Sequence, residues 1–283
     1  MAETKSTKKN YASSQPLKHL ARKTDMKITK IEKKKRLYLL ETDQYQKIYI
    51  TEDTIVRFFL SKDKEITEEQ LKEIQTFAQK SYGKNLALYH LSFKQRTKKE
   101  VSDYLHNHEI DASIIPSILS ELEVDNWIND QAYTRNMLDQ NQHSGDKGPH
   151  ILQQKLDQKG IEKQMLNQLI AEYDFSAVAE RVAKKMLMKY QAKLPHKALK
   201  DKLTQNLMTK GFSYPQAQEA IAALEIESDH EQEEDLIYKE LDKQHRKYSK
   251  KYEGYALQQR LIQSLARKGY DYDLIKSALR DYM

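Results

Sequence analysis

Apolar residues recur at fixed distances from four positions in the chain. Around Gly160 they lie eight and four residues before the glycine, one residue after it, and again among the fifth to tenth residues after it. The same spacing surrounds Glu109, Gly211 and Gly269, and the intervals between the four positions are 51, 51 and 58 residues. Self-similarity at a nearly constant period indicates a tandem repeat.

The spacing also predicts the structure of one repeat. Apolar residues four apart lie on one face of a helix. Glycine suits a left-handed residue just past a helix end, where a side chain would cost energy. A further helix then presents its apolar residues to the same core. Glu109 replaces glycine in the first copy, so we expect that turn to be strained or built differently.

The chain before the first repeat has another pattern. Residues 1–25 are polar and basic, and we expect disorder there. The segments ITKIE, RLYLLE and QKIYIT then alternate apolar with polar residues, as half-buried strands do. A helix is expected at Glu52–Leu60. A second helix should open at the capping box Thr67-Glu-Glu-Gln70, run to about Ser81 and end at Gly83.

The predicted fold is mainly α, with tandem three-helix repeats in an elongated array and a small N-terminal antiparallel β segment. We expect Asp130 to cap a helix, Thr97-Lys-Lys-Glu100 to form another capping box, and Ser213-Tyr-Pro-Gln216 to mark a helix N-terminus. The predicted domains are a disordered basic tail at 1–26, a small β-sheet with helices at 27–84, and three-helix repeats at 85–127, 128–174, 175–226 and 227–283.

Charge is distributed in blocks, so the net charge of +6 describes no single region. Residues 1–36 carry twelve Lys/Arg and three Asp/Glu, and the rest of the chain is close to neutral. Residues 181–210 carry nine basic residues and one acid, residues 225–242 nine acids and one lysine, and residues 243–268 eight basic residues and one acid. Such blocks favour basic faces that meet a polyanion or an acidic protein surface, although solvated helix faces would look the same.

The sequence offers little support for catalysis. It contains no cysteine, no glycine-rich phosphate loop, no Gly-x-Ser-x-Gly motif and no His-Glu-x-x-His pair. Its histidines are scattered, so we expect no metal site. Because these motifs are missing, we also expect no cofactor and no enzymatic activity. No apolar run is long enough to span a bilayer, and the N-terminus lacks a secretory signal. We expect a cytoplasmic monomer that does not contact membranes.

Aromatic residues suggest two further possibilities. Trp127 stands at a predicted junction between repeats, where packing is the first expectation and a binding anchor the alternative. Tyr190, Tyr248, Tyr252 and Tyr255 interleave with lysines, and this combination can bind phosphates and stack on bases, although tyrosine is also a good packing residue.

Three segments carry a resemblance to a known family. They are Leu91–Val101 (LSFKQRTKKEV), Leu122–Tyr133 (LEVDNWINDQAY) and Gly148–Ile161 (GPHILQQKLDQKGI). The chain resembles, over roughly 27–283, the RecX family of RecA modulators that act in homologous recombination and DNA repair. Thr97 stands where serine is common in the family, and Glu109 replaces the turn residue of the first copy.

The resemblance implies a non-enzymatic protein that lodges in the groove of the RecA–DNA filament and restrains ATP hydrolysis and strand exchange. Contact with single- or double-stranded DNA would be weak or through the filament. Two alternatives remain: a helical-repeat protein whose ligand is DNA itself, and a scaffold that joins protein partners. We hypothesise that the partner- and DNA-binding face is formed by Arg181, Lys184, Lys185, Lys189, Lys197, Lys200, Arg246, Lys247, Lys250 and Lys251.

Overall fold

The computed structural model describes residues 25–227 and 229–282 of the chain. The expected disorder of the N-terminal tail falls on residues 1–24, outside the described residues. The described chain forms two compact units. The first unit comprises residues 25–86 and 109–118, and the second comprises residues 87–108 and 119–282.

The first unit contains a four-stranded antiparallel sheet. Its strands are β1 (Met26–Lys34), β2 (Leu37–Thr42), β3 (Lys47–Ile50) and β4 (Glu65–Ile66), in the order β3-β2-β1-β4. Strand β1 thus begins inside the predicted tail, and Met26 is buried. The sheet shares a core with α1 (Glu52–Phe58) and α2 (Glu68–Leu91), because a sheet this small needs helices over one face.

The remaining described elements are all helices. They are α3 (Lys98–Asn107), α4 (Ile115–Val124), α5 (Asp130–Ser144), α6 (Pro149–Gln158), α7 (Lys163–Ala171), α8 (Ser176–Tyr190), α9 (His196–Thr209), α10 (Tyr214–Ala222), α11 (His230–Tyr248), α12 (Gly254–Arg267) and α13 (Tyr272–Tyr282). The predicted fold class, tandem helical repeats with a small N-terminal antiparallel sheet, is confirmed. The elongation of the array and the domain boundaries stay predictions.

Gly83 does not end a helix, so that prediction was wrong. Helix α2 continues through it to Leu91. A Cβ added at Gly83 would lie 2.6 Å from Ile118 Cδ1. The glycine therefore permits close packing within the first unit. From the local sequence alone, a glycine that allows such packing looks the same as a glycine that ends a helix.

One other local expectation also needs correction. The N-cap of α5 is Asn129, whose side chain accepts a hydrogen bond from the Ala132 amide, rather than Asp130. Trp127 is 51% exposed, so about half of it is covered at the predicted junction, and its role there stays a prediction. The capping boxes at Thr67, Thr97 and Ser213 are present.

The predicted turn glycines adopt the left-handed conformation. The φ angles are 81° at Gly160, 93° at Gly211 and 90° at Gly269. Each turn carries the same pair of hydrogen bonds. At Gly160 the Ile161 amide donates to the Leu156 carbonyl at 3.1 Å, and the Gly160 amide donates to the Asp157 carbonyl at 2.9 Å. This is the Schellman arrangement, and it places the apolar residue after the glycine back on the helix core.

Each turn also packs against the first turn of a helix in the preceding repeat. An added Cβ would lie 2.6 Å from Lys99 Cβ at Gly160, 2.5 Å from Ile151 Cγ1 at Gly211, and 2.7 Å from Ala198 Cβ at Gly269. The C-terminal turn of one helix therefore packs against the first turn of the equivalent helix in the preceding repeat. This holds for α6 on α3, α9 on α6 and α12 on α9.

Hydrogen bonds fix two of these joints. Thr97 Oγ1 donates to the Lys159 carbonyl at 2.8 Å, and the Gly148 amide donates to the Lys210 carbonyl at 2.8 Å. Carbonyls at the end of one helix thus meet the positive start of another, which their dipoles favour.

An ion pair accompanies each of the same two joints. Lys159 Nζ lies 2.6 Å from Glu100 Oε1, and Lys210 pairs with Asp146. The hydrogen bond from Lys210 holds the pKa of Asp146 below its usual value, and the bond to Asp146 raises the pKa of Lys210. Both ion pairs therefore favour the charged forms.

Candidate partner-binding surfaces

The first group of predicted binding residues lies on α8. Arg181, Lys184, Lys185 and Lys189 are all exposed there, and residues four apart share one face of the helix. Arg181 also has a local partner, since its Nη2 donates to the Gly145 carbonyl at 2.8 Å and to the Asn141 carbonyl at 3.2 Å. Arg181 therefore satisfies carbonyl groups at the C-terminal end of α5.

The other predicted residues form two further exposed groups. Lys197 and Lys200 lie in the first turns of α9, where the helix dipole disfavours positive charge. The third group lies at the end of α11 and in the turn after it, and consists of Arg246, Lys247, Lys250 and Lys251. Within the described parts of the chain, none of the ten residues forms a salt bridge.

A cleft lies between α9 and α10 on the third repeat. It encloses about 480 Å³ and is lined by Asp201, Thr204, Gln205, Met208, Thr209, Tyr214 and Gln218. The Tyr214 side chain is 59% exposed, and Gln218 Nε2 donates to Thr204 Oγ1 across the cleft at 3.2 Å.

A second cleft occupies the equivalent place on the preceding repeat, between α6 and α7. It encloses about 310 Å³ and is lined by His150, Gln153, Gln154, Asp157, Lys163, Leu166 and Asn167. Counted from Gly160 and Gly211, six lining positions coincide, at –10, –7, –6, –3, +3 and +7. A bond between positions –7 and +7 also recurs with the donor exchanged, because here Gln153 Nε2 at –7 donates to Asn167 Oδ1 at +7 at 2.6 Å.

The fourth repeat carries related residues at these positions. They are Gln259, Ile262, Gln263, Ala266, Tyr272 and Lys276. Tyr272, like Tyr214, is exposed, and Lys276 Nζ lies 4.5 Å from the centre of its ring. The surface that recurs on helices two and three of the second and third repeats is called the module groove below.

The module groove is nearly neutral and rich in side-chain amides. In the third repeat Asp201 is its single charged residue, and in the second repeat Asp157 is offset by Lys163. Such a surface offers hydrogen bonds without attracting a polyanion. Sequence reasoning missed it because the repeat was read for its apolar positions, although the same frame applied to polar residues would have indicated it.

The described residues contain no group of three or more His, Asp or Glu side chains placed to hold a metal ion. No helix among residues 25–227 and 229–282 is both long enough and apolar enough to cross a membrane.

Three-helix units that recur along the chain, with equivalent clefts on two of them, define a helical-repeat protein. A sequence profile for the first three-helix domain of RecX matches residues 84–122, and one for the third three-helix domain of RecX matches residues 231–279.

Curated relatives match nearly the whole chain. The "Regulatory protein RecX" of Streptococcus mutans is 63% identical over 258 residues, which are 91% of this chain and 100% of that protein. The protein of the same name from Streptococcus sanguinis is 61% identical with the same coverage. A solved structure, "Crystal structure of regulatory protein RecX", shares 28% identity with a TM-score of 0.58 and covers 70% of this chain and 99% of its own. The chain therefore belongs to the RecX family of regulatory proteins, and its place is in recombination and DNA repair.

Proposed function

We propose that this protein is a non-enzymatic modulator, mainly an inhibitor, of the RecA recombinase. In this proposal a monomer binds in the groove of the RecA–DNA filament, in the cytoplasm, and restrains ATP hydrolysis and strand exchange. Its family supports a regulatory role directed at RecA.

The observation that carries the filament part of the proposal is the recurrence of the module groove. A partner that engages two equivalent grooves on one chain must itself present two equivalent surfaces. A helical filament of identical subunits does so, and linked weak contacts gain avidity when the spacing matches.

The unpaired lysines supply a second kind of contact. Lys184, Lys185 and Lys189 on α8, and Lys250 and Lys251 after α11, are exposed and free of carboxylate partners among the described residues. DNA phosphates in the filament would release counterions on meeting them, which adds a salt-dependent contribution to binding. We assign DNA contact through the filament to these residues.

A RecA ATPase assay on single-stranded DNA tests the proposal. We expect inhibition at concentrations of this protein well below that of RecA. The variant Lys184→Glu, Lys185→Glu, Lys189→Glu should need on the order of tenfold more protein for half-inhibition at moderate salt, because it reverses three phosphate-facing charges. Circular dichroism should show unchanged helix content.

A matched variant controls for net charge. Lys62→Glu, Lys155→Glu, Lys239→Glu alters exposed lysines on other elements by the same total charge and should inhibit like the parent. Equal loss in both variants would show that only overall charge matters. Inhibition that begins only when the protein is abundant enough to coat the DNA would indicate simple competition and contradict filament binding.

A further inference from the structure

The segment that joins α11 to α12 combines aromatic rings with positive charge. It reads Tyr-Ser-Lys-Lys-Tyr-Glu-Gly-Tyr over 248–255. Tyr255 is 75% exposed, and Lys250 and Lys251 beside it are exposed as well. The structure thus presents an open ring within a few residues of two lysines.

Two neighbouring rings are held in place behind this surface. The centres of Tyr248 and Tyr252 lie 6.4 Å apart, and the Arg260 guanidinium carbon lies 5.2 Å from the centre of Tyr252. Lys247 Nζ lies 5.1 Å from the centre of Tyr248. Both tyrosines also pack against the core of the fourth repeat, so they form a fixed support.

The charge of this surface is one-sided. It carries one carboxylate, Glu253, and four cationic side chains, which are Lys247, Lys250, Lys251 and Arg260. In the described chain none of these five side chains forms a salt bridge. The cations are therefore available to a polyanion, and an exposed ring among them can stack on any base because every base has a π-face.

The equivalent surface on earlier repeats is an interface. The starts of α3, α6 and α9 are each covered by a glycine turn of the following repeat. At the start of α12, by contrast, an added Cβ on Gly254 would meet no atom of residues 25–227 and 229–282 within 4 Å. The start of α12, which the aromatic and basic residues flank in sequence, is therefore open at Gly254.

We propose that this aromatic–basic surface binds single-stranded nucleic acid directly. Tyr255 stacks on an unpaired base, while Lys250 and Lys251 contact the adjoining phosphates. Single strands fit better than duplexes, since bases in a duplex are already stacked on one another and cannot cover the Tyr255 ring. The site shares Lys250 and Lys251 with the basic face described above but does not require RecA.

Fluorescence anisotropy with a labelled oligo(dT) strand and a duplex of equal length, in the absence of RecA, tests the site in the full chain. We expect the single strand to bind more tightly than the duplex. Tyr255→Ala should weaken binding to the single strand on the order of tenfold, and Tyr255→Phe should retain it because stacking needs only the ring. Lys250→Ala with Lys251→Ala should reduce the salt dependence, d log K/d log[salt], by about 1.4 in magnitude, from two phosphate contacts at ~0.7 each.

Tyr214→Ala is the matched control, because Tyr214 is also an exposed tyrosine but lies in the neutral module groove. It should bind oligo(dT) like the parent. Unchanged affinity in Tyr255→Ala, or equal loss with the duplex, would overturn the stacking proposal even if the lysine variant binds less. The RecA ATPase assay on the same variants is a separate readout, so failure here leaves the proposed regulatory function standing, and the reverse also holds.

Discussion

Glycine allows two things in the repeat turn, a left-handed backbone and the close approach of a neighbouring helix. Glu109 shows that the first can occur with a side chain present. At Gly211 the backbone is left-handed and an added Cβ would strike Ile151. At Glu109 the backbone is also left-handed, with φ of 59°, but the side chain is exposed. The left-handed backbone at Glu109 therefore carries a conformational strain of roughly 1 kcal/mol. This turn was expected to be strained or built differently, and both hold in the described chain, because φ is positive at Glu109 and neither amide hydrogen bond of the glycine turns occurs there.

We expect Gly211→Ala to lower the free energy of unfolding by about 3 kcal/mol, from left-handed strain together with overpacking against Ile151. Gly254→Ala is the control, because Gly254 has φ of 51° but open space around it, and should cost about 1 kcal/mol or less. Urea unfolding measures both. Equal losses would show that the close approach of consecutive repeats contributes nothing.

At the scale of elements, local signals predicted helices well and contacts between helices poorly. The capping boxes at Thr97 and Ser213 were readable because all their atoms lie within four residues. Nothing near Gly160 in the sequence indicates that Lys99 lies against it, since that contact depends on how two repeats stack. Gly83 was misread for the same reason, because its neighbour Ile118 is distant in the chain.

A stack of rings joins α2 to α3 and should make stability depend on pH. His90 lies flat on Tyr104 with ring centres 3.9 Å apart, and Tyr104 in turn contacts His108 at 4.2 Å. Burial, followed by the charge of Arg96, lowers the pKa of His90 below its ordinary value. The folded state therefore binds the His90 proton less readily than the unfolded state does.

The stability contributed by neutral His90 is present above the unfolded pKa of about 6.5 and is lost as the pH falls through the lowered pKa of the folded state. We expect the urea midpoint to be lower at pH 5.5 than at pH 7.5, and His90→Gln to show a smaller difference between the two. An unchanged difference in His90→Gln would assign the pH dependence to other groups.

At the scale of the whole chain, the spacing of apolar residues alone predicted the tandem repeat. Four turns at 109, 160, 211 and 269 were predicted to be equivalent, and all four residues have positive φ. The ten basic residues that we proposed for binding are placed on exposed surfaces, but their partner remains a hypothesis. The module groove could not be anticipated from apolar periodicity, since its walls are the polar residues that this periodicity ignores.

If successive module grooves engage one periodic partner, the losses of inhibition from altering two grooves should multiply. Met208→Ala with Tyr214→Ala alters the groove of the third repeat, and Gln153→Ala with Asn167→Ala alters that of the second. We expect each change to raise the half-inhibitory concentration against RecA about fivefold, and the combination about twenty-five-fold, because linked contacts contribute to one binding free energy.

Tyr45→Ala, which removes another exposed tyrosine in the first unit, should leave inhibition unchanged. A combined variant no weaker than its stronger parent would mean that the grooves are not occupied together. The design separates the two surfaces: loss at the grooves should spare binding of oligo(dT), because the grooves are neutral and stacking at Tyr255 does not depend on them.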